Sequence, residues 1–107
     1  MKAQTQTVTA NGGTAVYGAW MPVDIKASQF QIGFGVTVTG TITYTVQHTY
    51  DDPQTVASPV AWPHATAAAK STAFEGSYSA PVRAVRLSTS AGTGTASITM
   101  IQAGPNG

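Results

Sequence analysis

The sequence predicts an all-β fold: an antiparallel β-sandwich or jelly-roll-like single domain of about seven to eight strands. Three observations predict it. Apolar residues recur with period two in the long segments, turn-forming residues separate those segments, and no stretch makes a convincing helix. The length of 107 residues suits one domain with one modest core.

The elements follow in chain order. Residues 2–9 alternate one polar residue with another and offer only Val8 for burial, so they make a poor core strand. They predict an extended N-terminal arm over residues 1–10, adding to a sheet edge of a neighbouring subunit, with the sandwich occupying residues 11–107. A frayed terminus is the alternative. Gln4, Thr5, Gln6, Thr7 and Val8 are therefore candidate subunit or capsid interface residues.

Residues 14–25 place Val16, Trp20, Met21, Val23 and Ile25 in one or two short strands broken by Pro22. In FQIGFGVTV, Phe30, Ile32, Phe34, Val36 and Val38 share one face, and Gln31, Gly33, Gly35 and Thr37 share the other. Glycine inside a strand marks a bend or the close approach of another backbone, which adds Gly33 and Gly35 to the candidate interface. The alternation resumes in TITYTVQHTY after Thr39 and Gly40, predicting a hairpin.

Prolines at positions 53, 59 and 63 predict a long ordered loop with at most a short strand, and residues 65–70 allow one helical turn. Residues 72–79 return to strand. PVRAVRLST and TASITMIQA, joined by SAGTG, predict a second hairpin.

Charge excludes some functions. Only 8% of residues are charged, against about 25% in ordinary domains. Five basic residues against four acidic ones give too little field to grip phosphates, so nucleic acid is not an expected partner. MKAQTQTVTA lacks the apolar run of a signal peptide and no segment reaches membrane-span length, which predicts synthesis in the cytoplasm and no membrane association. The absence of cysteine removes disulfides, thiolate metal sites and a Cys nucleophile.

Chemistry-bearing residues are few. His48 ends the apolar register of its strand and reads as a satisfied structural histidine; Asp51 and Asp52 precede Pro53 and read as turn caps. A metal set of His48, His64 and one of these aspartates matches no ligand motif, and neither a G-x-S-x-G elbow nor a phosphate loop is present, so no catalytic residue, metal or cofactor is assigned. Arg83 and Arg86 point to opposite faces of their strand and make no basic patch. Trp20 and Trp62 are candidate sugar-stacking residues, with core or loop packing as the bland alternative.

Taken together, YTVQHTYDDP, AWPHAT, PVRAVRLSTS and SITMIQAG resemble a group of small structural proteins of tailed bacteriophages, over roughly residues 40–104. The resemblance implies a non-enzymatic virion component. Most specifically it implies a head decoration (cement) protein on the capsid exterior, bound between subunits of the major capsid protein. A tail or fibre position is compatible with it. A second resemblance, through TYTVQHTYDD, the Trp-bearing loop and PVRAVRL, is to jelly-roll carbohydrate-binding and discoidin-like domains, and implies topology more than function. A charge-poor, Thr-rich surface with few edge-protecting charges suits burial against partners, and a homodimer or homotrimer is expected.

Overall fold

The computed structural model describes residues 4–23, 31–64, 66–78 and 82–103. Expectations for residues 2–3, Ile25, Phe30, Ala65, Ser79, Pro81 and Gly104 lie outside the described residues. Nine strands form among the described residues: β1 (Gln4–Thr9), β2 (Val16–Tyr17), β3 (Met21–Pro22), β4 (Gln31–Thr39), β5 (Ile42–Thr49), β6 (Trp62–Pro63), β7 (Phe74–Tyr78), β8 (Ala84–Gly92) and β9 (Thr95–Ala103). They make two antiparallel sheets packed as a β-sandwich, one with the order β1-β9-β4-β7 and the other with β2-β8-β5-β6, where β3 also pairs with β8. No helix occurs among the described residues, and of the segment 65–70 that allowed a helical turn, residues 66–69 form bends. Between β2 and β3 the break falls at residues 18–20, and Pro22 lies inside β3.

Neither expected hairpin forms. β4 and β5 lie in different sheets, as do β8 and β9, so each link carries the chain from one layer to the other. Gly40 adopts a φ of 80°, which a type II′ hairpin turn would also accept, so the local residues do not decide between hairpin and arch.

The two arches nest at this end. β4 pairs with β9 along its whole length and β5 pairs with β8. The Thr41 carbonyl accepts hydrogen bonds from the amides of Thr93 at 2.9 Å and Gly94 at 2.7 Å. At Gly94 a Cβ would lie 2.9 Å from the Gly40 carbonyl carbon, so only glycine lets the chains cross.

Inward-facing residues of both sheets meet in one contiguous core. Ile32, Phe34, Val36, Ile98 and Met100 come from one layer, and Ile42, Tyr44, Val46, Val85 and Leu87 from the other. Gly76 faces inward opposite Phe34, whose ring occupies the space that a side chain would fill, 2.7 Å from the position of a Cβ.

Polar side chains tie the layers together at both lateral edges. On the β1 side, Gln6 Oε1 accepts the Leu87 amide at 2.8 Å, Gln6 Nε2 donates to the Ala19 carbonyl at 2.5 Å, and Gln4 Nε2 donates to the Pro22 carbonyl at 2.9 Å. Space for the Gln6 amide exists because residue 18 is glycine; a Cβ there would fall on it. On the β7 side, the buried His64 ring donates from Nε2 to the Ser77 carbonyl at 2.9 Å.

These ties correct the expectation of an arm. Residues 4–9 form an edge strand of their own sandwich, paired with β9 from Gln4↔Met100 to Thr9↔Thr95. The polar alternation that argued against a core strand suits this position. Gln4 and Gln6 turn inward to satisfy the backbone of the opposite sheet, Val8 enters the core, and the threonines face out.

Gln6→Ala leaves the Leu87 amide without its acceptor and is expected to cost about 1–3 kcal/mol in urea denaturation. Gly18→Ala should cost a similar amount by expelling the same amide. The double variant should then lose little more than either single one. Fully additive losses would separate the two residues.

Candidate functional site

Two of the candidate positions left outward by the fold, Thr5 and Thr7, meet β9 together with Thr9 in a ladder of hydroxyl pairs. Thr5 Oγ1 lies 3.4 Å from Thr99 Oγ1, Thr7 Oγ1 lies 2.8 Å from Ser97 Oγ, and Thr9 Oγ1 lies 3.4 Å from Thr95 Oγ1. Next in the sheet comes β4, which presents Gly33 and Gly35 on the same face, followed by β7 with Glu75 and Ser77.

The glycines make a floor. Gly33 stands opposite Ile101 on one side and Ser77 on the other, and Gly35 opposite Thr99 and Glu75. A Cβ at either glycine would meet nothing within 4 Å, and neither needs positive φ. β4 runs through both in unbroken register with its two neighbours, so no bulge accounts for them. The result is an open groove of about 610 Å³ over Gly33 and Gly35, continuing into a second of about 640 Å³ beside Val36, Thr37 and Phe74. Its wall includes Ile101, which is 56% exposed.

This face gathers Thr5, Thr7, Gly33 and Gly35 from the sequence-derived set, and separates Gln4, Gln6 and Val8 from it. Sequence reasoning missed Thr99, Ile101, Glu75 and Ser77. Their period-two pattern gives their faces, but which strands become neighbours of β4 depends on the sheet switches described above.

The other candidates have structural roles. Asp51 Oδ2 accepts the Val60 amide at 2.9 Å, and Asp52 Oδ1 accepts the Gln54 amide at 3.0 Å, so both carboxylates shape the loop after β5 as expected. Arg83 reaches Asp52 at 3.9 Å. His64 Nδ1 accepts the amides of Thr66 at 3.2 Å and Ala67 at 3.1 Å, which places its proton on Nε2. The atoms invoked for a metal set are thus engaged in holding loops.

His48 sits in a run of aromatic edge contacts. Phe34, His64, Tyr78, His48, Tyr50 and Trp62 follow one another with ring centroids 5.0, 4.8, 5.1, 5.4 and 6.3 Å apart. The His48 Nδ1 lies 3.0 Å from the Tyr78 hydroxyl. Burial pushes the His48 pKa down, and the neighbouring His64 adds to the effect. Burial, with a smaller contribution from Tyr50, pushes the Tyr78 phenol well above its ordinary value. A neutral imidazole and an un-ionised phenol therefore share that bond.

Trp62 is 50% exposed and Tyr50 57% exposed at the outer end of the run. Trp20 is differently placed. Its ring covers Arg86, with the guanidinium carbon 4.2 Å from the ring centroid.

Comparison with known proteins returns nothing similar: no family model, curated protein or solved structure matches this chain.

Because the folded His48 pKa lies below the value of 6.5 in the unfolded chain, the unfolded state binds more protons as pH falls. Its contribution to stability should be fully present above about pH 6.5 and lost as pH drops through the folded value. Thermal unfolding from pH 7.5 downward should therefore show a fall that is shallower in His48→Asn. Identical pH profiles in the two proteins would remove His48 from the account.

Proposed function

We propose that this chain is a non-enzymatic virion structural protein, a head decoration protein of a tailed bacteriophage. It binds between major capsid subunits on the capsid exterior through the outer face of its four-stranded sheet. The observation that carries this reading is the glycine floor at Gly33 and Gly35. Both glycines open space outward and fill no need inside the molecule.

Further support comes from the character of the face and from the sequence resemblance. Threonine and serine hydroxyls, a partly apolar groove and, among the described residues lining it, a single carboxylate at Glu75 suit a covered, packed contact better than a solvated surface. A protein that binds only the assembled lattice stabilises it by mass action. The histidines and aspartates of the described region hold loops and rings, which leaves the reading without a catalytic constellation.

Gly33→Val and Gly35→Val separate this role from stability. Valine suits a strand and meets open space at both positions, so each variant should fold with unchanged or slightly raised stability, within about 1 kcal/mol. Co-sedimentation with matched heads lacking the protein should be saturable for the wild type and lost in both variants. Undiminished binding by the valine variants would place the contact elsewhere, and failure of the wild type to bind heads would overturn the decoration reading.

A second reading, a carbohydrate-binding module of a tail or fibre, is favoured by the exposed Trp62 and Tyr50 pair. It predicts a saturable change in tryptophan emission with a neutral oligosaccharide, abolished in Trp62→Ala. No response across a panel of such sugars would count against it.

A further inference from the structure

The outer face of the second sheet carries a separate arrangement around Arg86, on β8. Its guanidinium carbon lies 4.2 Å from the Trp20 ring centroid and 4.4 Å from that of Tyr17. Its Nε donates to Gln47 Oε1 at 2.8 Å, across the β5–β8 ladder in which these two residues are direct partners. Two aromatic rings and one hydrogen bond thus hold the guanidinium in place.

What remains is the terminal fork. Nε is the nitrogen committed to Gln47, and among the described residues no carboxylate pairs with Arg86. The described acids lie elsewhere: Asp51 and Asp52 in the loop after β5, Glu75 on the opposite sheet. Burial between the rings pushes the Arg86 pKa down, with Tyr17 opposing, so the site bears a desolvation cost that an anion would offset.

We propose that Arg86, held by Tyr17, Trp20 and Gln47, is a binding site for the carboxylate of an acidic sugar residue of the uronic acid type. A planar carboxylate matches the fork in two parallel hydrogen bonds. A phosphate-rich polymer is a poorer fit, because Arg86 is the single cation of this cluster among the described residues, and polyanion binding draws on several. The surroundings select a sugar among carboxylate carriers. Tyr17 is 55% exposed and offers an aromatic surface to a pyranose ring. Ser88, the partner of Tyr17 across the sheet, is buried and donates its hydroxyl to the Thr45 carbonyl, so the Tyr17 ring alone carries this selection. The site is independent of the glycine-floored groove and of the role proposed for it.

The test is an NMR titration of the full chain with tetragalacturonate, reading the indole N–H of Trp20 and the side-chain N–H of Arg86. Parallel arms use a neutral tetrasaccharide, a glutamate-rich peptide and inorganic phosphate. Saturable shifts of both signals with the uronate, with the Trp62 indole unmoved, are expected. Arg86→Lys keeps the charge and loses the fork, and should weaken binding about tenfold or more. Gln47→Ala should weaken it several-fold with an unaltered fold, which keeps the proposal testable if the arginine variant misfolds. Absence of saturable shifts with the uronate overturns the site, as does an equal response to the neutral sugar or unchanged affinity in both variants. Preferential binding of the peptide or phosphate overturns the sugar assignment.

Discussion

One carbonyl sits where the two layers of this sandwich become one structure. The oxygen of Thr41 receives the amides of Thr93 and Gly94, joining the link between β4 and β5 to the link between β8 and β9. Both links change sheet at this point, so the bond sets which strand lies beside which. From there the β4–β9 and β5–β8 ladders run the length of the domain. A slip of one residue at the crossing would turn Ile32, Phe34 and Val36 outward, or Tyr44 and Val46 on the other layer. Gly40, Gly92 and Gly94 are the residues that let two backbones share so little space.

Holding the far edges is a different problem, because edge strands have backbone groups that no ladder satisfies. The chain solves it with polar side chains that reach across layers. Gln6 serves the backbone of β8 and of the segment before β3, and His64 links the loop after β6 to β7. Each is also packed: Gln6 in the space left by Gly18, His64 edge-on against Phe34 and Tyr78. A charge-poor surface follows naturally from such edges, since they are closed by neutral hydrogen bonds and not by repulsive lysines.

How much of this was legible in the sequence depends on the range of the interaction concerned. Period-two alternation in β4 and most of β5 identifies strands and faces, because a strand's faces are a local property, and it breaks at the end of β5, where Thr49 is buried and Tyr50 exposed. The same information fails at the links. Thr39-Gly40-Thr41 and SAGTG carry the residues of a hairpin turn, and only the nesting of one arch in the other shows that neither is one. Residues 4–9 failed in a related way. With little to bury they looked unsuited to a domain core, yet the role of Gln6 is written at Leu87 and Gly18, too distant for any local window. Asp51 and Asp52 were readable as structural because turn capping is again local, whereas the Tyr78 partner of His48 comes from the opposite sheet.

The outer glycines were legible as an anomaly and not as a site, and the structure sharpens why they matter. Gly76 and Gly92 also stand in strands, but the ring of Phe34 claims the space beside one and the backbone of Thr41 and Ile42 presses on the other. Gly33 and Gly35 have no such neighbour. Each gives up about 0.5–1 kcal/mol relative to a residue with a side chain, in a domain whose whole stability is of the order of 5–15 kcal/mol. A cost of that size without an internal return points to something outside the molecule that approaches to backbone distance. With Glu75 beside the groove and Lys70 over the ring of Phe74 as the charges among the described residues there, such a contact draws on shape and packing more than on electrostatic attraction. The residues that would decide its specificity are then the ones that shape its walls, Ile101 and Thr99 on β9 and Ser77 on β7.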